Sequence, residues 1–185
     1  MKWEGPRAGE IVSKTAHSLD PSTTLLREDV DIVTRTIAGQ PTKIMKVRIK
    51  SAKESRAYSR GVIIEVFEIR NKLCPVRAFE KYIETCGEMD PKQACFRTAD
   101  GFAYRHQRLN SVLKKLLEPY IPYDSISGHS FRAGLASLMA EMGYSDESIK
   151  DVGRWTSDAF KLYVKLDRIT RSGVAQKLAQ ACQRL

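Results

Sequence analysis

The sequence predicts a mainly helical fold with a small antiparallel β-sheet. Two patterns carry this expectation. Between residues 44 and 66 an alternating apolar and basic stretch is followed, after a polar basic segment, by a β-branched run. From Pro75 onward, apolar residues recur at helical spacing instead. A length of 185 residues suits a single domain that can bury a core of its own.

Taken in order, Gly5 to Lys14 reads as a helix, with Arg7, Glu10 and Lys14 polar and Ile11 and Val12 apolar. It begins almost at Met1, so the natural protein is expected to extend further upstream. The cluster Ser18 to Ser22 is a turn. Leu25 to Asp31 mixes charged and apolar residues without a clear period. Ile44 to Ile49 alternates: Met45, Val47 and Ile49 share one face, and Lys46, Arg48 and Lys50 the other. Gly61 leads into a second strand, Val62 to Val66, so the two strands form a hairpin whose tip, Ser51 to Ser59, is polar and basic.

After Pro75, Val76, Phe79, Tyr82 and Ile83 lie at helical spacing. Gln107 to Glu118 is a further helix with Leu109, Val112, Leu113, Leu116 and Leu117 expected to face inward, ended by Pro119 and Pro122. Three short helices follow: Phe131 to Met142, one starting at Ser145-Asp146-Glu147, and one starting at Ser157-Asp158 and carrying Phe160 and Tyr163. In the tail, Val174, Leu178, Ala181 and Leu185 form one apolar stripe.

Composition narrows the function classes. No apolar run approaches a membrane span, and no charged-then-apolar leader opens the chain, so no membrane partner and no secretion are expected. Cys74, Cys86, Cys95 and Cys182 form no close metal-type pair and only three histidines are present, so no metal site is expected and the thiols read as reduced and mostly buried. Lysine and arginine number 31 against 22 acids, a net charge of +9, which suggests a polyanionic partner such as nucleic acid.

Four features occur together and in order: Gly5-Pro6-Arg7-Ala8-Gly9-Glu10-Ile11; Lys53 after the basic strand; Gly128-His129-Ser130-Phe131-Arg132; and the run from Gly153-Arg154-Trp155 through Ser157-Asp158-Ala159-Phe160 to Tyr163. The third and fourth resemble the His-x-x-Arg box and the nucleophile helix of tyrosine recombinases, the phage-integrase family. The first resembles that family's opening arginine, followed three residues later by an acid. The wording around Gly153 to Tyr163 is similar to that of recombinases of eukaryotic mobile elements, DIRS-like retrotransposons and Cryptons, and of some phage and viral integrases. The resemblance runs from Arg7 to Tyr163 and includes Leu73-Cys74-Pro75-Val76 as the entry into a central helix.

The residue types suit the chemistry that the resemblance implies. A phosphodiester gains negative charge as a nucleophile attacks, so fixed positive donors around its oxygens lower the barrier. Arg7 and Arg132 are the expected clamps, since a guanidinium fork can give two hydrogen bonds to one phosphate. Taken alone, Arg7 would simply pair with Glu10 on a helix face. His129 and Arg132, three apart on a helix, share a face. The resemblance gives His129 the orientation or deprotonation of the tyrosine, Lys53 the protonation of the leaving 5′ oxygen, with Lys50 three residues earlier as a competitor, and Tyr163 the role of nucleophile.

One position departs from the family. The residue after the glycine is usually His or Trp; here it is Arg154, and Trp155 follows. Either could donate to phosphate, or Trp155 could only pack the nucleophile helix.

The implied activity is site-specific DNA integration or excision through a 3′-phosphotyrosyl intermediate, with no cofactor, metal or ATP. Lys46, Arg48, Lys50, Arg56 and Arg105 are the further residues expected to meet DNA. The implied partners are double-stranded DNA and three further protomers, four on two DNA sites, in the nucleus of a eukaryote or otherwise the cytoplasm. Residues 1–168 would be the catalytic core and 169–185 a helix that docks on a neighbour or on its own domain. The separate upstream DNA clamp usual in the family is expected to be absent from this chain. The alternatives are a type IB topoisomerase-like or resolving activity, and a domesticated DNA-binding module that does not cleave.

Overall fold

In a computed structural model of the chain, residues 8–13, 15, 19–50, 61–121, 126–155 and 157–164 are described. Among the described residues helices predominate over strands, which form one small antiparallel sheet. It divides into two compact units, Met1–Arg105 and His106–Leu185.

The first unit is built on a sheet of three strands in the order β1-β2-β3: β1 Val30–Ile37, β2 Gln40–Ile49 and β3 Val62–Phe67. The expected hairpin is present as β2 and β3, with Ile49 opposite Val62. The strand β1 was not expected. It joins β2 through Ala38-Gly39, with φ of 49° and 77° and Ile37 opposite Gln40. Two successive positive φ values make the tight turn whose twist suits a hairpin. Alanine in the first of these places hides the turn from a sequence reading, because it is a poor residue for positive φ.

Val30, Val47, Ile49 and Ile64 pack with Leu25, Phe79 and Cys95 in the core of this unit. Phe79 comes from α2, Pro75–Cys86, whose Val76, Phe79, Tyr82 and Ile83 lie at the expected inward positions. Phe79, Tyr82 and Phe96 form an aromatic cluster with centroid separations of 5.4–6.3 Å. The Tyr82 hydroxyl donates to the Cys95 carbonyl at 3.0 Å and accepts from Arg97 N at 2.9 Å. Burial pushes its pKa up to about 12. Burial likewise pushes the Cys95 thiol up to about 12, so it stays protonated and unreactive. Cys74, Cys86 and Cys95 are free thiols, and Cys182 lies outside the described residues.

On the opposite face of β2, Lys46 and Arg48 alternate with the core residues as expected, and Arg48 is exposed. The register sets Lys46 between Asp31 of β1 and Glu65 of β3. Arg35 pairs with Glu65 at 3.1 Å. The face is therefore mixed in sign, which β2 alone does not reveal.

Lys50 is placed differently from its two neighbours. Its ammonium lies 2.7 Å from the carboxylate of Asp29, whose side chain is 1% exposed. The same Asp29 oxygen accepts from Leu26 N at 2.9 Å and closes the 3₁₀ turn Arg27–Asp29.

Helix α1 spans Ala8–Ile11, shorter than the expected helix because Ser13 leaves it to donate to the Tyr104 carbonyl at 3.0 Å. Residues 5–7 and 14 of that expectation lie outside the described residues.

In the second unit, α3 is His106–Leu117, α4 Gly128–Glu141, α5 Asp146–Gly153 and α6 Lys161–Val164, the last preceded by a 3₁₀ turn, Asp158–Phe160. Its core is Ala136, Met139, Ile149 and Phe160. On α3, Leu109, Leu113 and Leu117 are half-buried, but Val112 and Leu116 are exposed, against expectation. The covered stripe runs over His106, Leu109, Asn110, Leu113, Lys114 and Leu117, so it is rotated away from Val112 and Leu116 towards polar positions. Phe131, Leu138 and Met142, in or beside α4, are exposed as well. No helix among the described residues is long and apolar enough to cross a membrane.

Asp29→Ala removes the acceptor shared by Lys50 and the 3₁₀ turn. A fully buried ion pair loses roughly 3–5 kcal/mol when one partner is deleted. Lys50 still reaches water, its side chain being 23% exposed, so the expected loss is about 2–3 kcal/mol, read from urea unfolding.

Candidate active site around Tyr163

The N-terminus of α4 is fixed by side chains. Ser127 Oγ accepts from His129 N at 3.2 Å, and Ser130 Oγ accepts from Ser127 N at 3.0 Å. Gly128 N donates to Asn110 Oδ1 of α3 at 2.9 Å. Three helical N–H groups that lack intrahelical acceptors are thus satisfied or ordered at the point where His129 projects. Arg132 follows one turn later. The shared face expected from the spacing is present, but the two differ in environment: His129 is exposed and Arg132 only 5% exposed.

Helix α5 starts at Ser145, whose Oγ accepts from Ser148 N at 3.2 Å, with Asp146 and Glu147 in its first turn. This is the expected cap. Its other end carries the residues left open by the sequence. Arg154 adopts a left-handed conformation, φ 53° and ψ 45°, and its N–H bonds to the Asp151 carbonyl at 3.1 Å. Trp155 N bonds to the Lys150 carbonyl at 2.9 Å. Helices commonly end on one left-handed residue, usually glycine. An arginine there costs about 1 kcal/mol more than glycine.

The turn brings the Trp155 ring back over Gly153. A Cβ on Gly153 would stand 1.6 Å from the ring atom Cζ3, so only glycine fits. The ring lies 6.0 Å from Phe160 and 6.5 Å from Tyr163, centroid to centroid. The Arg132 guanidinium carbon sits over it at 4.5 Å. Such a contact contributes about 0.5–2 kcal/mol, more when shielded from water. The same guanidinium donates from Nη2 to the Arg154 carbonyl at 3.2 Å. Arg154 is itself buried, at 7% exposed.

Tyr163 is delivered by the segment beginning at Ser157, whose Oγ accepts from Ala159 N at 3.4 Å. Phe160 is fully buried and anchors this segment. The Ser137 hydroxyl of α4 lies 3.0 Å from both the Ala133 and the Tyr163 carbonyls, sharing its proton between them, and the second contact ties α6 to α4. Asp158 pairs with Lys150 of α5, and Lys161 bridges Asp158 and Asp146, each at 3.1 Å. The phenol oxygen of Tyr163 lies 2.5 Å from Nε2 of His129, and the two rings meet edge to face at 5.3 Å. With the imidazole proton on Nδ1, Nε2 accepts the phenol proton, which is the arrangement that makes a phenol nucleophilic.

The second unit thus brings together His129, Arg132, Arg154, Trp155 and Tyr163. Arg7, Lys53 and Arg56 lie outside the described residues, as does the tail from 169 to 185. Arg105 is exposed beside its bridge to Ser13. Among the described residues no group of three or more His, Cys, Asp or Glu is placed to hold a metal ion. Asn110 and Ser137 escaped the sequence reading. Neither stands out among the other polar residues of its helix, and the backbone group that each one reaches from another element is more than 15 residues away. Searches against protein-family models, curated proteins and solved structures returned no match.

The Lys150 and Lys161 ammonium groups hold the Asp158 carboxyl below its ordinary value of 3.8. A carboxylate with a depressed folded pKa adds stability above its unfolded pKa and loses it as pH falls through the folded one. Thermal melts of wild type and Asp158→Asn are therefore expected to differ at pH 7 and to converge as pH drops through about 4 and below. The difference should also shrink in high salt, because these groups are exposed.

Proposed function

We propose that this chain is a tyrosine-recombinase catalytic domain that cuts and rejoins DNA through a covalent bond to Tyr163. The observation that carries the reading is the 2.5 Å approach of the Tyr163 hydroxyl to His129 Nε2, beside an Arg132 held against the same Trp155 ring that Tyr163 touches. A phenol with a proton acceptor and a fixed cation nearby is equipped to attack an anionic ester. The net charge of +9 suits a DNA partner.

In the proposed reaction, Tyr163 Oη forms a bond to the scissile phosphorus while His129 takes the phenol proton. The bond from phosphorus to the 5′ oxygen breaks, and the departing oxygen takes a proton from Lys53. Arg132 and Arg7 bind the non-bridging oxygens as charge develops. A 5′ hydroxyl of another strand then attacks the 3′-phosphotyrosyl ester and displaces Tyr163, so the ester bond is conserved and neither ATP nor a metal is consumed. Four protomers on two DNA sites would exchange strands to integrate or excise a mobile element. In a eukaryote this would take place in the nucleus. Lys46, Arg48, Lys50, Arg56 and Arg105 would add contacts to the DNA backbone, although Lys50 would first have to leave Asp29.

The decisive experiment is a covalent trap with nicked or suicide duplexes, followed by denaturation. Wild type is expected to yield protein-linked DNA and Tyr163→Phe none, with DNA retention on native gels unchanged. Adduct from Tyr163→Phe would remove Tyr163 as the nucleophile. Arg132→Ala is expected to slow adduct formation by about 10²–10³-fold, as for loss of one oxyanion donor; a loss under tenfold would make its role structural. Binding should weaken steeply with added salt.

A further inference from the structure

We propose that Trp155 is a positioning residue rather than a phosphate donor: its ring is the platform that sets the Arg132 guanidinium and the Tyr163 phenol relative to each other. The proposal rests on the reading of Tyr163 as the nucleophile and resolves which part of Gly153-Arg154-Trp155 acts on the reaction, and how.

Three contacts converge on this one ring. Arg132 lies over it at 4.5 Å, Tyr163 packs on it at 6.5 Å and the fully buried Phe160 fixes it at 6.0 Å. A guanidinium over an indole is drawn to the electron-rich face, so the ring plane dictates the plane of the fork. The Arg154 carbonyl takes one of the fork's N–H groups from the side at 3.2 Å. That carbonyl is aimed by the left-handed conformation of Arg154, φ 53° and ψ 45°. Gly153 supplies the space in which the ring lies. The tripeptide thus forms a cradle for Arg132: glycine for room, a carbonyl at the side and an aromatic face beneath. Its product is geometric. The cation expected to stabilise the developing charge and the oxygen expected to attack are referenced to one rigid plane, and a misplacement of about 1 Å in such a pair can cost about 10²-fold in rate.

A donor role and a platform role make opposite demands on the ring. The donor role needs the indole N–H; the platform needs the π face. Trp155→Phe keeps a face and deletes the N–H, whereas Trp155→Leu deletes both. Gly153→Ala keeps the whole indole but drives it off its seat. The platform predicts that, in the covalent trap, Trp155→Phe forms adduct within about tenfold of wild type, Phe being a weaker cation partner. Trp155→Leu and Gly153→Ala are both expected to fall by about 10²-fold. Equal loss in Trp155→Phe and Trp155→Leu, or wild-type rates in Gly153→Ala, overturns the proposal.

Because a ring deletion can also disturb folding, a nearly isosteric series provides the second measurement. The chain has two tryptophans, Trp3 and Trp155, so in a Trp3→Phe background fluorinated tryptophans enter at position 155 alone. Each fluorine draws electrons from the face and weakens its hold on Arg132, while making the indole N–H a better donor. Adduct rates that fall with each added fluorine, with DNA affinity unchanged, support the platform. Rates that stay level or rise overturn it. Absence of adduct from wild type itself would instead defeat the assignment of Tyr163 as nucleophile, and this proposal with it.

Discussion

The second unit depends on one steric fact: the Trp155 ring occupies the space that any side chain at position 153 would fill. From that seat the ring reaches Phe160 in the core, Tyr163 on α6 and Arg132 on α4. A turn at the end of α5 therefore joins three helices. The turn itself is strained, since a buried arginine holds the left-handed position where glycine is usual. Strain of this kind persists where the surroundings over-determine it. Here the determinants are two backbone hydrogen bonds to α5 and one from Arg132.

Around that turn the polar bonds divide by role. Those at the N-terminus of α4 hold the helix start, so that His129 emerges at a fixed place. Ser137 ties the backbone of Tyr163 to the same helix. The imidazole and the phenol are thereby presented from one support, with α4 carrying the first and tethering the second. The exposed charges of Asp146, Lys150, Asp158 and Lys161 add a second, weaker link between α5 and the segment that leads to Tyr163.

In the first unit, Asp29 has a comparable part. Its nearly fully buried carboxylate closes the 3₁₀ turn before β1 and draws in Lys50 at the end of β2. A residue that strand alternation alone assigns to a solvent-facing basic stripe is thus committed to an internal ion pair. Cross-strand neighbours alter that stripe further, since Lys46 lies in register with an acid on each side.

Sequence periodicity and capping chemistry determined the elements: the β2–β3 pairing, α2 and its inward residues, and the starts of α5 and of the Tyr163 segment. Alternation within each strand, helical spacing and caps depend on neighbours a few residues apart, so the elements can be read along the chain. The spacing of His129 and Arg132 likewise set them on one helical face. The strand β1, the commitment of Lys50, the exposure of Val112 and Leu116, and the tethers from Asn110 and Ser137 were decided by tertiary structure. The strand β1 pairs with its immediate neighbour β2 and was hidden by an alanine at a positive-φ turn position; each of the others depends on a partner supplied by a distant part of the chain or on which stripe of a helix finds cover. The placement of Arg154 and Trp155 is of the same kind. Both are adjacent in sequence, and only the left-handed turn, by folding the indole back over Gly153, sends one to the core as a buried cation and the other beneath Arg132.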